Sequence, residues 1–168
     1  IFLGAEGPKN VAMAAEIADG WLPLYYSPYR QEVYADQIKH AKPGFEIYQG
    51  IAINICDDVE TGLLPVKMNL ALYIGGMGAK KHNFHTELMG RMGFEAEARK
   101  IQDLFLAGKK DEAVQAVPSA FADEISLVGP PARIRDRLQA WRETPVTALL
   151  VNARNESQLQ QYAELVLG

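Results

Sequence analysis

"IFLGAEGPKNVAMAAEIADGWLP", residues 1–23, decides how this chain is read. Ile1-Phe2-Leu3 is an apolar run of strand character that breaks into the glycine turn Gly4-Ala5-Glu6-Gly7. Pro8 suits the first position of a helix, where its missing N–H costs nothing. Val11, Ala14, Ala15 and Ala18 then recur at helical spacing and form a small-residue face that can pack closely on a sheet. Gly20 reads as the stop of that helix. Trp21-Leu22-Pro23-Leu24-Tyr25-Tyr26 begins a second apolar run. A strand, a helix and another strand in so short a span make a βα unit of a parallel sheet.

The pattern continues along the chain. Ser27-Pro28 opens a helix, with Ser27 capping it, that runs to about Ala41. "IYQGIAINIC", residues 47–56, is a third strand. Asp57 and Glu60 have capping-box spacing for the next helix, in which Pro65 marks either a kink or the true start. Gly75, Gly76 and Gly78 read as a flexible loop, and residues 74–83 as the most mobile internal segment. Helical segments follow near 84–91, 94–107 and 109–116. Pro130-Pro131 starts an amphipathic helix, Val146 to Val151 is a fourth strand, and Ser157 caps a last helix.

The expectation is an α/β single domain over residues 1–168. Its parallel strands lie near 1–5, 21–26, 47–55 and 146–151, with a helical excursion before the last strand. Two architectures suit four such units, a small open sheet or half of an eight-stranded (β/α)8 TIM-type barrel. Residue 1 already falls inside a strand, which favours the half-barrel and a chain that continues upstream.

Composition limits function. Of the 168 residues, 48% are apolar and 23% charged, a globular balance. A net charge of −4 makes nucleic acid a poor partner. The single cysteine, Cys56, cannot form an intrachain disulfide and fits a reducing cytoplasm. No apolar run approaches the ~20 residues of a membrane span.

In parallel α/β proteins, ligands sit at the carboxyl ends of the strands. Gly4, Ala5, Glu6, Gly7 and Pro8 are at such an end, where free amides at a helix start attract anions and small residues allow close approach. The same residues would also suffice for a bare tight turn. Tyr25, Tyr26 and Ser27 end the second apolar run and are candidates for substrate contact, or for rim packing. Tyr73, Met77 and Phe84 flank the glycine loop and could line an apolar pocket, and Lys80 and Lys81 could steer an anion there. His82 and His85, with Glu87 nearby, lack a fourth ligand, so they read as a solvated loop and no metal is expected. Asp57 and Asp58 are caps, and Arg133, Arg135, Arg137 and Arg142 are mostly a solvated helix face.

Together, "FLGAEGPKNVAMAAEIADGWLP", "ALYIGGMG", "SLVGPPARIRDRLQAWRE" and "TALLVNARN" resemble the luciferase-like monooxygenase superfamily, in particular its coenzyme F420-dependent oxidoreductases. The resemblance implies the C-terminal half of a (β/α)8 barrel. It also implies an enzyme that moves a hydride between F420 and a small organic substrate, working as a homo-oligomer. It places Gly4, Ala5, Glu6, Gly7 and Pro8 against the deazaflavin, with the Glu6 carboxylate turned away from the anionic tail or on a polar ring edge. The family's catalytic side chains belong to early strands that these residues do not include. The alternatives are an FMN-dependent monooxygenase or a truncated, non-catalytic remnant.

Overall fold

The computed structural model describes residues 1–79 and 82–167. Its six strands are β1 (Phe2–Gly4), β2 (Gly20–Leu22), β3 (Glu46–Gly50), β4 (Ala52–Ile55), β5 (Ser126–Gly129) and β6 (Ala148–Leu150). β1, β2, β3 and β6 lie side by side in that order, all parallel. β4 and β5 form a second parallel pair.

The third apolar run is divided between two neighbours. Residues 48–50 pair with β6, the Ile51 amide donates to the Leu150 carbonyl at 2.9 Å, and the chain then turns to β5. β5 escapes the sequence reading because "SLVG" is short and abuts Pro130-Pro131. All four of its residues are nevertheless buried.

The first unit is built by helix α1 (Pro8–Ile17), which ends at Ala18, whose amide bonds the Ala14 carbonyl. Gly20 is therefore a strand residue rather than a helix stop. A Cβ there would lie 2.3 Å from the Phe2 ring and 2.6 Å from the Glu46 carbonyl, so only glycine lets these strands meet. β2 stops at Leu22, because Pro23 has no amide to donate. Leu24, Tyr25 and Tyr26, expected in the strand, instead form an irregular segment at its end. The next helix, α2 (Glu32–Ile38), begins later than the Ser27-Pro28 signal. Ser27 holds a turn, its hydroxyl accepting from the Tyr29 amide at 3.2 Å.

The excursion comprises α3 (Val59–Gly62), α4 (Leu64–Gly76), α5 (Phe84–Met89), α6 (Glu95–Leu106), α7 (Lys110–Gln115) and α8 (Ser119–Glu124). Asp58, one residue beyond the expected cap, receives the Glu60 amide. Pro65 lies in the first turn of α4, so it marks a start and not a kink. Gly75 and Gly76 are not a loop. They are the last residues of α4, pressed on Phe105 of α6. Of the segment expected to be mobile, Lys80 and Lys81 lie outside the described residues. Helices α9 (Pro131–Arg142) and α10 (Glu156–Leu167) flank β6, and Asn155, not Ser157, caps α10 through the Gln158 amide. Arg133 and Arg137 are tied to Asp123 rather than solvated, at 2.7 and 3.1 Å.

A Cβ on Gly75 would stand 2.4 Å from Phe105 Cβ, an atom held rigidly by its own helix. Gly75→Ala should lower unfolding free energy by about 1–3 kcal/mol, although alanine is the better helix former. Urea denaturation of Gly75→Ala, alone and with Phe105→Ala, checks this. Only partial relief is expected in the double variant, because Phe105→Ala removes the ring, at 2.7 Å, but keeps the Cβ at 2.4 Å.

Candidate functional site

The ends of β1 and β2 meet beneath the excursion. Trp21, fully buried, donates its indole N–H to the Ala5 carbonyl at 2.8 Å and so fixes the turn that follows β1. Gln49, also buried, holds the segment after β2. Its Oε1 accepts from the Tyr26 amide and its Nε2 donates to the Leu24 carbonyl, both at 3.2 Å. With both turns held, Glu6 and Tyr25 come under the same helices.

Those helices are positioned by polar contacts. Asn83 caps α5 by accepting from the His85 amide at 2.9 Å, and donates to the Ile74 carbonyl at 2.8 Å, which brings the end of α4 to the start of α5. Tyr73 and His85 then lie with ring centroids 5.2 Å apart, and Tyr25 sits 6.3 Å from Tyr73 and 6.0 Å from His85. Between α5 and α6 the chain makes one π-type turn, Gly90–Phe94, in which Gly93 has φ 90°, a conformation that favours glycine. This turn delivers Arg91, whose guanidinium donates to the Glu6 carbonyl at 2.8 Å. Arg30 grips Glu124 of α8 with two bonds of 2.7 and 2.8 Å, and the Ser27 hydroxyl donates to the same carboxylate at 3.1 Å.

The carboxyl of Glu6 turns into the protein, with its Oε2 enclosed. Burial raises it from the usual carboxylate range to about 7, against the opposing pull of the Leu24 amide and the Arg91 guanidinium. Burial also raises Tyr25 and Tyr34, each further raised by the Glu6 charge, and lowers His85. Glu6 Oε2, the Tyr25 and Tyr34 hydroxyls and His85 Nδ1 are buried with no hydrogen-bond partner among the described residues. The group combines a carboxyl able to carry a proton near neutrality, two phenol donors and a neutral imidazole. All four atoms are enclosed, so a proton held by Glu6 is held inside the protein.

The candidates separate accordingly. Gly4, Ala5, Glu6, Gly7 and Pro8 form the turn, and Tyr25 and Tyr73 stand beside it. Tyr26 lies in the core, stacked 5.8 Å from Tyr34 and 6.2 Å from Trp141. Ser27 serves the Glu124 anchor. Met77 is half exposed at the end of α4. His85 belongs with the aromatic rings, not with a solvated loop. Arg91 and Asn83 were not singled out from sequence, since neither sits in a motif.

Residues 1–148 match the family model described as luciferase-like monooxygenase. A protein of Mycobacterium tuberculosis, named as a putative coenzyme F420-dependent oxidoreductase, is 40% identical, over 99% of this chain and 50% of its own length. The F420-dependent tetrahydromethanopterin reductase of Methanopyrus kandleri superposes with a TM-score of 0.73 at 20% identity, over 99% of this chain and 49% of that one. An F420-dependent secondary alcohol dehydrogenase gives 0.67 at 10% identity, over 99% and 47%. The chain thus spans about half the length of the relatives it matches. The structural likeness is one of fold: parallel strands and helices matching about half of a TIM-barrel reductase chain, without closing a barrel.

Glu6 gives the site a measurable pH signature. Its folded value of about 7 lies above the unfolded 4.5, so the folded state holds the proton more tightly. Stability from this group is therefore full below pH 4.5 and lost as pH rises to 7. Glu6→Gln removes the loss. Thermal melts should show the variant about 1–3 kcal/mol more stable than wild type at pH 8 and nearly equal to it at pH 4.5.

Proposed function

The chain belongs to the luciferase-like monooxygenase family, and we propose that it supplies the cofactor-binding turn of an F420-dependent oxidoreductase that passes a hydride between the coenzyme and a small organic substrate. The observation that carries this reading is the turn Gly4–Pro8 at a strand end, open on its backbone side and lined within by Glu6 and Tyr25. The name of the mycobacterial relative supports F420 over FMN.

The residues fit a planar, oxygen-rich group. A Cβ on Gly4 would meet nothing within 4 Å, and one on Gly7 would meet only the Phe84 ring at 3.7 Å. Phe84 is 54% exposed, an aromatic face next to the turn on which a ring system can lie. The α1 start presents amides without intrahelical acceptors to an anionic tail. When bound, a deazaflavin supplies the ring carbon that gives or receives the hydride. The turn residues bind and orient it, Phe84 shields one face from water, and Tyr25, Tyr73 and His85 border the space left for substrate. No catalytic residue is assigned among these positions. A cytoplasmic site of action and assembly of the full-length enzyme as a homo-oligomer belong to the same reading. No helix among the described residues is long and apolar enough to cross a membrane.

Gly7 has φ −77° and ψ 147°, which a β-branched residue adopts without strain. Gly7→Val should therefore melt close to wild type. Its methyls would stand at the approach to the amides, and affinity for F420 should fall about tenfold, or ~1.4 kcal/mol. Fluorescence titration of the full-length protein with F420 and with FMN, beside melts, checks both. Binding of FMN without F420 would overturn the reading, and unchanged F420 affinity in the variant would remove the turn from it.

A further inference from the structure

Beside the turn a cleft of about 700 Å³ opens between α5, the π-type turn and α6. Thr86, Glu87 and Arg91 line one side of it, and Arg99 and Gln102 of α6 the other. Arg91 joins the cleft to the turn, since its guanidinium donates to the Glu6 carbonyl at 2.8 Å. Phe84, which faces Gly7, begins α5, and Gly90 at the cleft follows about 9 Å along the helix axis. A chain hung from a ring on Phe84 has the cleft within reach. Coenzyme F420 ends in amide-linked glutamates, whereas FMN ends in its phosphate. Resting on the reading just given, we propose that this cleft binds a glutamyl unit of the coenzyme's tail: Arg91 takes its carboxylate and Gln102 its amide linkage.

Gln102 is the residue that marks the cleft as a site. It is only 7% exposed, yet it lines the opening. The Thr86 hydroxyl donates to the Ile74 carbonyl at 2.7 Å, so its proton is spent and it can only accept from Gln102. That orients the amide: Nε2 turns to Thr86 at 3.5 Å, and Oε1 turns away with no donor among the described residues. Unlike Glu6 Oε2, this oxygen is not sealed inside the protein. An amide oxygen so closely walled is poorly solvated until a ligand brings a donor. Nε2 keeps a second N–H, so Gln102 offers one acceptor and one donor side by side, the complement of a secondary amide.

Arg91 is held ready in a similar way. Its guanidinium carbon lies 5.9 Å from the Tyr34 ring centroid, and the Glu6 carbonyl takes one nitrogen. The other N–H groups make no ion pair among the described residues, and a guanidinium fixed in place suits a carboxylate. Charge decides how much anion the cleft accepts. Glu87, Glu95 and Asp103 outnumber Arg91 and Arg99 along it, and Glu95 is paired with Arg99. A phosphate dianion or a run of carboxylates would meet net negative charge there. One carboxylate on Arg91, with the neighbouring amide N–H turned to Gln102 Oε1, leaves the exposed Glu87 to water.

The test titrates the full-length protein, by fluorescence, with F420 carrying glutamates and with the same coenzyme stripped back to its phospholactyl end. Wild type should bind the glutamylated form about tenfold more tightly. Gln102→Leu keeps much of the volume and loses the amide. In it that ratio should fall to about one, while affinity for the stripped form stays within about twofold of wild type. Thermal melts of both proteins check the fold. Equal affinities of wild type for the two forms, or a ratio kept in the variant, overturn the proposal and leave the F420 reading standing. Binding of FMN with neither form of F420 overturns both. Nitrogen-15 NMR of the Gln102 side-chain amide in the wild-type protein needs no variant. Its signals should move with the glutamylated form and stay in place with the stripped form, and the same response to both overturns the proposal.

Discussion

The hydrogen bond from the Trp21 indole to the Ala5 carbonyl is the contact on which the site rests. It is buried, so its loss would leave both groups without water, at a cost of about 1–3 kcal/mol for each group stranded. It also fixes geometry. Ala5 precedes Glu6, and a turn pinned by its carbonyl sends the next side chain inward beneath the excursion. Trp21 itself is held by Tyr34, 4.8 Å away edge-on, and by Tyr26 at 6.3 Å. The aromatic core under the sheet ends therefore sets the direction of a carboxyl at the surface of that core.

The second constraint is the anchoring of the excursion. Six helices between β4 and β5 could dock in several ways on short strands. Polar contacts select one: Asn83 between α4 and α5, Arg91 on the Glu6 carbonyl, and Arg30 with Ser27 on Glu124. Half-buried Arg–carboxylate pairs with two bonds restrict orientation more than they add stability. Arg30 also lies 4.7 Å from the Phe94 ring centroid, which sets the level of the π-type turn. The wall of the site is thus placed by directional bonds, whereas its floor is placed by packing.

Much of the frame was legible in the sequence because apolar runs and glycine–proline punctuation report on local structure. The runs at 1–5, 47–55 and 146–151 each contain a strand, and Pro8 and Pro131 each sit in a first helical turn. Misreadings arose where tertiary contact overrode local signal. Gly20 resembles a helix stop until Phe2 is laid across it, and Gly75-Gly76 resembles a loop until Phe105 fills its surface. β5 was invisible because four residues carry too little periodicity. In the site, the turn 4–8 and Tyr25 could be found from strand ends. Arg91 and His85 could not, since only the docking of a distant helix brings them there, and the burial of Glu6 depends on the same docking.

The division of residues 46–55 between two partners has a kinetic side. β3 and β6 are joined by bonds between Ile47 and Thr147, a sequence separation of 100 residues. Closing a loop of that length carries a large entropic cost before any contact repays it, and such pairings form late. The helices in between are dominated by neighbours in sequence, and compact helical pairs form early. β4 and β5, nearer to each other along the chain, can zip next and shorten the effective loop. The order of assembly is then helices, β4 with β5, and β6 last. The strand nearest the C-terminus acts as the latch of the fold, and its docking reports that everything before it is in place.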